Sequence, residues 1–303
     1  MTGTDSATPT ERSGPPRAGA LCVSPLGSAA VSQSALDLSR VFELEPHGPD
    51  TWLGESPPYS WGRIYGGLVI AQALWAATQT VKPEHAVHSL HAYFILGGNL
   101  SEPVRYEVDR VRNGRSFTTR SVVARQSGGA ILTVSCSFQV DEGGPETQSA
   151  TLPEDVPPAE SLKSELDAGI ECREAKTKDG PPRSPMWVRY PEGLGDDPRL
   201  HACALAYLSD VNPMHAVTLS HPAKMGGEGE WSGDYMGASL DHALWFHRPG
   251  RVDDWVLLDM TGHGMIGSRG LATGPVFSAG GVHLATIAQE GLLRAKRPQQ
   301  SGS

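Results

Sequence analysis

Cysteine is scarce in this 303-residue chain, which has four: Cys22, Cys136, Cys172 and Cys203. They lie far apart in the sequence and none forms a CxxC pair, so neither a zinc knuckle nor a disulfide framework is indicated. Few, scattered thiols are typical of proteins from reducing compartments. We therefore predict a cytoplasmic protein without a metal site.

Positive charge and long apolar runs are also in short supply. Lys and Arg number 25 against 34 Asp and Glu, for a net charge of -9 at pH 7, whereas nucleic-acid-binding surfaces need a concentrated excess of basic residues. No apolar run approaches the roughly 20 residues of a membrane-spanning helix. The first residues lack a secretion signal, and the last ones, QQSGS, lack an SKL-type peroxisomal address. These absences predict no nucleic-acid partner, no membrane partner and no export.

Three common catalytic motifs are missing from the sequence. There is no GxSxG nucleophile elbow, no GxxxxGK[ST] phosphate loop and no GxGxxG that leads from a predicted strand into a predicted helix. Serine-hydrolase, P-loop and Rossmann chemistry are therefore set aside, and we predict that no cofactor is needed.

Glycine and proline are abundant, with 35 and 24 residues, and indicate many turns. Residues 1–35 are rich in Ser, Thr, Pro, Gly and Ala without hydrophobic periodicity, which predicts a disordered tail. In IYGGLVIAQALWAATQTV, apolar residues recur at helical spacing after the Gly66-Gly67 pair. Four strand-like runs follow, namely AVHSLHAYFIL, VRYEVDRV, SFTTRSVVARQ and AILTVSCSFQV.

The same order of elements returns after a Pro-, Glu- and Gly-rich stretch at 141–184, which we interpret as a linker. RLHACALAYLSDV predicts a second helix, and strand candidates follow in MGASLDHALWFH, DWVLLDM, GSRGLATGPVF and VHLATIAQEGLLR. Phe94 corresponds to Phe246, and Gly128 to Gly280, each 152 positions later. A steady offset combined with a repeated element order indicates an internal duplication.

Each repeat has one long helix and four antiparallel strands, and it can bury the helix only by wrapping the sheet around it. We therefore predict an α+β double hot-dog fold, in which the two sheets protect each other's open edges. The predicted divisions are an N-terminal hot-dog domain at 36–140, the linker at 141–184, a C-terminal hot-dog domain at 185–297 and a tail at 298–303.

Several segments match a known family. They are YGGLVIAQAL, VHSLHAYF and RNGRSFTTRSV in the first repeat, and AYLSDVN, SLDHALWFHRP, GSRGL and AQEGLLR in the second. With these segments the chain resembles the acyl-CoA thioesterase II family, which has bacterial members and a peroxisomal member in animals. The resemblance spans about Leu36 to Lys296 and implies hydrolysis of fatty acyl-CoA to free fatty acid and CoA. Leu68 is a departure, since the family usually has Gln after the two glycines.

The resemblance also implies three catalytic residues: an Asp ending the second helix, a Ser or Thr opening the next strand, and a Gln in the last strand. The matching positions are Asp210, Ser239 and Gln289. A carboxylate can accept a proton from the attacking water while a hydroxyl and an amide fix the water's other hydrogen bonds. We favour water as the nucleophile because no histidine is predicted beside Ser239; attack by Asp210 or acylation of Ser239 is the covalent alternative.

Four further residues are candidates for substrate binding. The thioester carbonyl oxygen is expected to meet backbone N–H groups at a helix N-terminus or a Gly-rich turn, which indicates Gly66 and Gly67, although close packing of helix and sheet would explain these glycines equally well. His88 and His242 are candidates for substrate contact, against the commoner role of a hydrogen-bonded strand histidine.

Two other functions compete with thioester hydrolysis. An enoyl-CoA hydratase or dehydratase could use the same fold, but it would need an Asp–His pair on one short motif, which is not found around Asp210. A non-catalytic acyl-CoA-binding module would not need Asp210, Ser239 and Gln289 together. We predict an acyl-CoA thioesterase that assembles as a homo-oligomer, either a dimer or a tetramer.

Overall fold

A computed structural model describes residues 37–59, 61–167, 169–176, 181–222 and 235–296, and for 166 and 167 the backbone only. The tails predicted at 1–35 and 298–303 lie outside the described residues. In the described part, no helix is both long and apolar enough to cross a membrane.

The first half of the chain, up to residue 140, is built around one helix. A short helix α1 (Leu38–Val41), capped by the Asp37 side chain, and two short strands, β1 (Glu45–Pro46) and β2 (Thr51–Gly54), precede it. Helix α2 (Gly66–Thr78) is buried along nearly its whole length, as expected for a helix enclosed by a sheet. Leu68, at the family's usual Gln position, is fully buried in this core.

Four long antiparallel strands follow α2, as predicted. They are β3 (His85–Phe94), β4 (Val104–Asn113), β5 (Phe117–Gln126) and β6 (Gly129–Val140). In the sheet their order is β2-β4-β5-β6-β3, so the last strand in sequence lies beside the first of the four. Buried and more exposed residues alternate along β5, because one face covers α2 and the other faces outward.

The segment predicted as the linker, 141–184, also contributes to the sheet. A 3-10 turn at Ala159–Ser161 is followed by β7 (Glu165–Asp167) and β8 (Ile170–Glu174), and β8 pairs with β9 (Arg183–Arg189). The boundary predicted at 184/185 thus falls inside β9. Local composition does not reveal these strands because they form at the edge of the sheet only where β8 pairs with β9, and β7 in turn pairs with β8.

The second half repeats the arrangement of the first. Helix α3 (Pro198–Leu208) begins with Asp197 as its N-cap and a proline at its first position, and a short helix α4 (Pro213–Leu219) follows. The strands are β10 (Tyr235–Ser239), β11 (Asp241–Phe246), β12 (Val256–Ile266), β13 (Arg269–Ser278) and β14 (His283–Ala295). The predicted strand MGASLDHALWFH is divided at Leu240, because β10 and β11 pair with different parts of β14.

The two halves join through an antiparallel pairing of β3 with β11, in which His91 lies opposite Ala243. The sheet order is consequently β2-β4-β5-β6-β3 followed by β11-β14-β13-β12-β9, so corresponding strands of the two repeats occupy mirrored places. Helices α2 and α3 pack on each other inside this continuous sheet. The fold is the double hot-dog that the duplication predicted, and it brings the start of α2 against the end of α3.

A buried arginine connects the end of α2 to β4 and β5 in the first repeat. Arg120 in β5 is 1% exposed, and its guanidinium donates to the hydroxyl and carbonyl oxygens of Thr80, just beyond α2, and to the Asn113 side chain at the end of β4. Two further bonds reach the carbonyl oxygens of Arg112 and Thr119. Since these acceptors would lose their partner with Arg120, its role is structural.

Candidate active site

Asp210 lies two residues beyond the end of α3 and faces the start of α2. A Cβ atom on Gly66 would lie 2.6 Å from Asp210 Oδ2, and one on Gly67 would lie 2.4 Å from the Tyr207 carbonyl oxygen. The Tyr65 hydroxyl donates to the same Tyr207 carbonyl at 3.0 Å. Two glycines are therefore required for this approach of the halves, and both predicted glycines lie at the site.

The environment of the Asp210 carboxyl raises its pKa. The residue is 6% exposed, and burial raises its pKa to about 7, although hydrogen bonds from Gln289, the Gly67 amide and Ser239 act in the opposite direction. Its Oδ1 atom is buried and has no hydrogen-bond partner within the described chain. A carboxylate with a pKa near neutrality and one unused oxygen is suited to accept a proton at physiological pH.

Ser239 and Gln289 come to the same place from adjoining strands. Ser239 is the last residue of β10, and Gln289 lies on the inward face of β14 between Ile287 and Gly291. The Gln289 Nε2 atom donates to Ser239 Oγ at 2.8 Å. Both side chains are buried, so the fold brings all three predicted catalytic residues together.

His242 lies behind Gln289. Its Nδ1 atom is 2.5 Å from Gln289 Oε1, and its Nε2 atom is 2.8 Å from the hydroxyl of Ser209, the residue before Asp210. The ring is 0% exposed, and burial lowers its pKa to about 4. Because both ring nitrogens contact protein groups, the predicted contact of His242 with substrate is not supported by its position.

His88 lies outside this cluster, contrary to its selection as a candidate substrate contact. It occupies an irregularity in the β3–β6 pairing, contacts Ser137 Oγ through Nε2 at 2.8 Å and packs edge-on against Phe117. Phe94, whose ring lies next to Gly66, is six residues further along β3, which corresponds to about 20 Å. The sequence placed both histidines on strands but could not say which end of a strand meets α2.

Asn212 is a residue that the sequence reasoning missed. It is fully buried, and its Nδ2 atom donates to the Ser184 carbonyl at 2.6 Å while Ser184 Oγ donates to its Oδ1 at 2.9 Å. This reciprocal pair attaches the turn after Asp210 to β9. The only signal in the sequence is the Asn directly before Pro213, which resembles an ordinary helix start.

The chain matches two family descriptions in succession. Residues 56–139 match the Acyl-CoA thioesterase N-terminal domain, and residues 141–293 match the Acyl-CoA thioesterase C-terminal domain. The boundary between the two matches falls between the two halves of the sheet.

Individual relatives cover nearly the same range. Acyl-coenzyme A thioesterase 8 of Mus musculus is 34% identical over 88% of this chain and 91% of its own length. Acyl-CoA thioesterase 2 of Haemophilus influenzae is 33% identical over 85% of this chain and 97% of its own length.

Solved structures share the architecture. The crystal structure of an acyl-CoA thioesterase II, TesB2, from Mycobacterium marinum matches with a TM-score of 0.76 at 34% identity, covering 87% of this chain and 99% of that one. A protein described as having a hot-dog fold, from Alicyclobacillus acidocaldarius, matches with a TM-score of 0.70 at 19% identity, covering 86% and 98%.

Proposed function

Because the chain belongs to the acyl-CoA thioesterase family, we propose that it hydrolyses fatty acyl-CoA to free fatty acid and CoA with a water molecule activated by Asp210. The observation that carries the assignment of Asp210 is its buried carboxyl, with a pKa raised to about 7 and an unpartnered Oδ1. Ser239 and Gln289 complete the site, supported by their contact with each other and by their hydrogen bonds to Asp210.

In the proposed reaction the water oxygen attacks the thioester carbonyl carbon while one water proton passes to Asp210. Ser239 Oγ holds the water by a hydrogen bond, and the Gln289 amide holds Ser239 and Asp210 in place by donating to both. The tetrahedral intermediate then collapses with cleavage of the carbon–sulfur bond. The CoA sulfur departs with the electron pair and takes up a proton, so that free acid and CoA thiol are released and Asp210 returns to its carboxylate form.

The developing negative charge on the carbonyl oxygen needs donors, and the start of α2 can supply them. The first N–H groups of a helix have no partner within the helix and favour negative charge. The Gly67 amide already bonds Asp210, so we assign the neighbouring Gly66 amide to the substrate carbonyl and Gly67 to holding the base. Gly66→Ala and Gly66→Pro both add a Cβ 2.6 Å from Asp210 Oδ2, but only Gly66→Pro also removes the amide, so its kcat should fall below that of Gly66→Ala.

A covalent route is disfavoured by the surroundings of Ser239. Its Oγ accepts a hydrogen bond from the Gln289 amide, and the two ring nitrogens of His242 contact Gln289 and Ser209. An imidazole base for a serine nucleophile is therefore not provided by His242. Mass spectrometry of a reaction quenched with acid within one turnover should show no acyl group on the protein, and an acylated Ser239 or Asp210 would replace the water mechanism by a covalent one.

Release of free thiol from acyl-CoA, compared between wild type and Asp210→Asn, tests the proposal. Loss of the general base should lower kcat by about 10²- to 10⁴-fold, with KM changing little. Asp254→Asn is the matched control, since Asp254 is an exposed carboxylate away from the site. Near wild-type activity of folded Asp210→Asn would refute the site assignment.

The same assay separates the competing functions. A binding module would bind acyl-CoA without releasing thiol. A hydratase would consume the double bond of a 2-enoyl-CoA, which is followed by ultraviolet absorbance, while its thioester remains intact. A screen of straight-chain acyl-CoAs from short to long would then define the preferred chain length.

We also propose that the protein is cytoplasmic and forms a homo-oligomer. A reducing compartment is supported by Cys136 and Cys203, which are thiols that form no disulfide. Oligomerisation is supported by large exposed apolar side chains on the strands that join the halves, such as Tyr93, which is 63% exposed, and Trp245. Sedimentation at micromolar concentration should show a dimer or tetramer, and cell fractionation tests the compartment.

A further inference from the structure

A chain of polar contacts behind the site runs from Ser209 to Ser239, which bonds Asp210. Ser209 Oγ contacts His242 Nε2, His242 Nδ1 contacts Gln289 Oε1, and Gln289 Nε2 contacts Ser239 Oγ. Each of these four side chains is buried, so none can exchange its partner for bulk water. The positions of the hydrogens in such a closed chain are determined by which atoms can donate.

Gln289 Oε1 can only accept a hydrogen bond, so the His242 atom facing it, Nδ1, must carry the hydrogen. The ring is neutral, because burial lowers its pKa to about 4. Its Nε2 atom therefore has a lone pair and accepts the hydrogen of the Ser209 hydroxyl. That hydroxyl also lies 2.8 Å from the Ala206 carbonyl oxygen, which is an alternative acceptor if the ring were the other tautomer.

The opposite arrangement, with the Gln289 amide rotated by 180°, would satisfy His242 equally well. It would, however, direct Oε1 rather than the amide hydrogens toward Ser239 and Asp210. Asp210 is a carboxylate in its active form, and the hydrogen bond from Gln289 favours that form. The carboxylate oxygen and the partly negative amide oxygen repel each other, and neither can donate a hydrogen bond, so the carboxylate selects the arrangement with Nε2 toward it.

We propose that His242 is a positioning residue for hydrolysis: as the neutral Nδ1–H tautomer it holds the Gln289 amide with its N–H group toward Ser239 and Asp210. The proposal rests on the proposed function. Its consequence is that Ser239 Oγ, having accepted the Gln289 hydrogen, gives its own hydrogen to Asp210 or to the attacking water. His242 itself touches neither substrate nor water.

Two amide substitutions of His242 provide the test. The side-chain nitrogen of Asn lies about where Nδ1 of histidine lies, so His242→Asn keeps the donor to Gln289. The side-chain nitrogen of Gln instead reaches the place of Nε2, so His242→Gln keeps only the contact with Ser209. His242→Leu keeps neither. A misplaced catalytic group can cost about 10²-fold, so we expect a loss of kcat near that size for Leu and Gln, with KM unchanged, and an Asn variant within about tenfold of wild type.

A purely structural role predicts the reverse order, because Gln is closer to histidine in volume than Asn and leaves the smaller cavity. His242→Gln matching or exceeding His242→Asn in kcat would therefore overturn the proposal, as would an active His242→Leu variant. His47→Leu, at an exposed histidine between β1 and β2, is the control and should leave kcat unchanged.

Two further measurements keep the proposal testable if a variant does not fold. In the wild-type protein, nitrogen NMR of labelled histidine reports which ring nitrogen carries the hydrogen, and an Nε2–H tautomer at His242 would overturn the proposal. In a Gln289→Ala background, His242→Asn and His242→Gln should have equal kcat, because the group that His242 positions is gone. If the wild-type protein releases no thiol from acyl-CoA, the proposed function fails, and if Asp210→Asn is fully active, the assignment of Asp210 as the base fails. If Asp210→Asn is inactive and the His242 variants are not impaired, only the positioning role fails.

Discussion

Replacing Asp210 by Asn should reduce activity and at the same time make stability less sensitive to alkaline pH. The folded-state pKa of Asp210 is raised from 3.8 to about 7, so between these values the folded protein binds a proton that the unfolded chain releases. Wild-type stability therefore falls as the pH rises through this window. The difference of about 3 units corresponds to roughly 4 kcal/mol at 1.36 kcal/mol per unit, and Asn cannot ionise.

The assay is thermal unfolding of wild type, Asp210→Asn and the exposed control Asp254→Asn between pH 4 and pH 8.5. An unfolding entropy of about 2.1 cal/mol/K per residue over a chain of this length converts about 4 kcal/mol into a shift in Tm of roughly 6 °C. We expect the difference in Tm between Asp210→Asn and wild type to change by about that amount in favour of the variant as the pH increases from 4 to 8.5. The Asp254→Asn curve should run parallel to wild type.

The comparison uses the change with pH rather than the absolute Tm. The Asn side chain places an NH₂ group among donors, including the Gly67 amide, and this mismatch lowers stability by an amount that does not vary with pH. A constant Tm difference between Asp210→Asn and wild type across the whole range would refute the reasoning, because it would mean that Asp210 ionises in the folded protein as readily as in the unfolded chain.

Two further predictions concern the candidate active site, and a third concerns the buried Arg120. Wild-type kcat/KM should rise with pH through an apparent pKa of about 7, the value to which burial raises the pKa of Asp210, since the proposed mechanism needs its carboxylate; a profile that is flat from pH 5 to pH 8 would contradict this role. Gly66→Ala should lower kcat strongly while the protein stays folded, because the new Cβ would lie 2.6 Å from Asp210 Oδ2; unchanged kinetics would show that the site tolerates this displacement. Arg120→Met should lower the free energy of unfolding in urea by at least about 3 kcal/mol, because Thr80 and Asn113 lose their buried donor, and kcat of the folded fraction should be kept; a loss below about 1 kcal/mol would contradict the structural role.

Much of the fold could be predicted from the sequence because its signals are local. The apolar residues of α2, the alternation along β5 and the repeat that relates Phe94 to Phe246 all depend on short stretches of chain and their spacing. The candidate catalytic residues Asp210, Ser239 and Gln289 were reached through matching motifs. The chemistry proposed for them, a base beside two hydrogen-bonding groups, follows from residue type alone.

The tertiary structure decided which of these residues meet, and in what environment. Periodicity identifies the buried face of a strand but not its neighbours, so His88 and His242 looked equivalent although one is remote from Asp210 and the other holds Gln289. The division of a strand at Leu240 likewise depends on where β14 runs. The pKa of Asp210 is raised because the start of α2, from the other half of the chain, removes its carboxyl from water; desolvation by a distant segment leaves no mark in the local sequence.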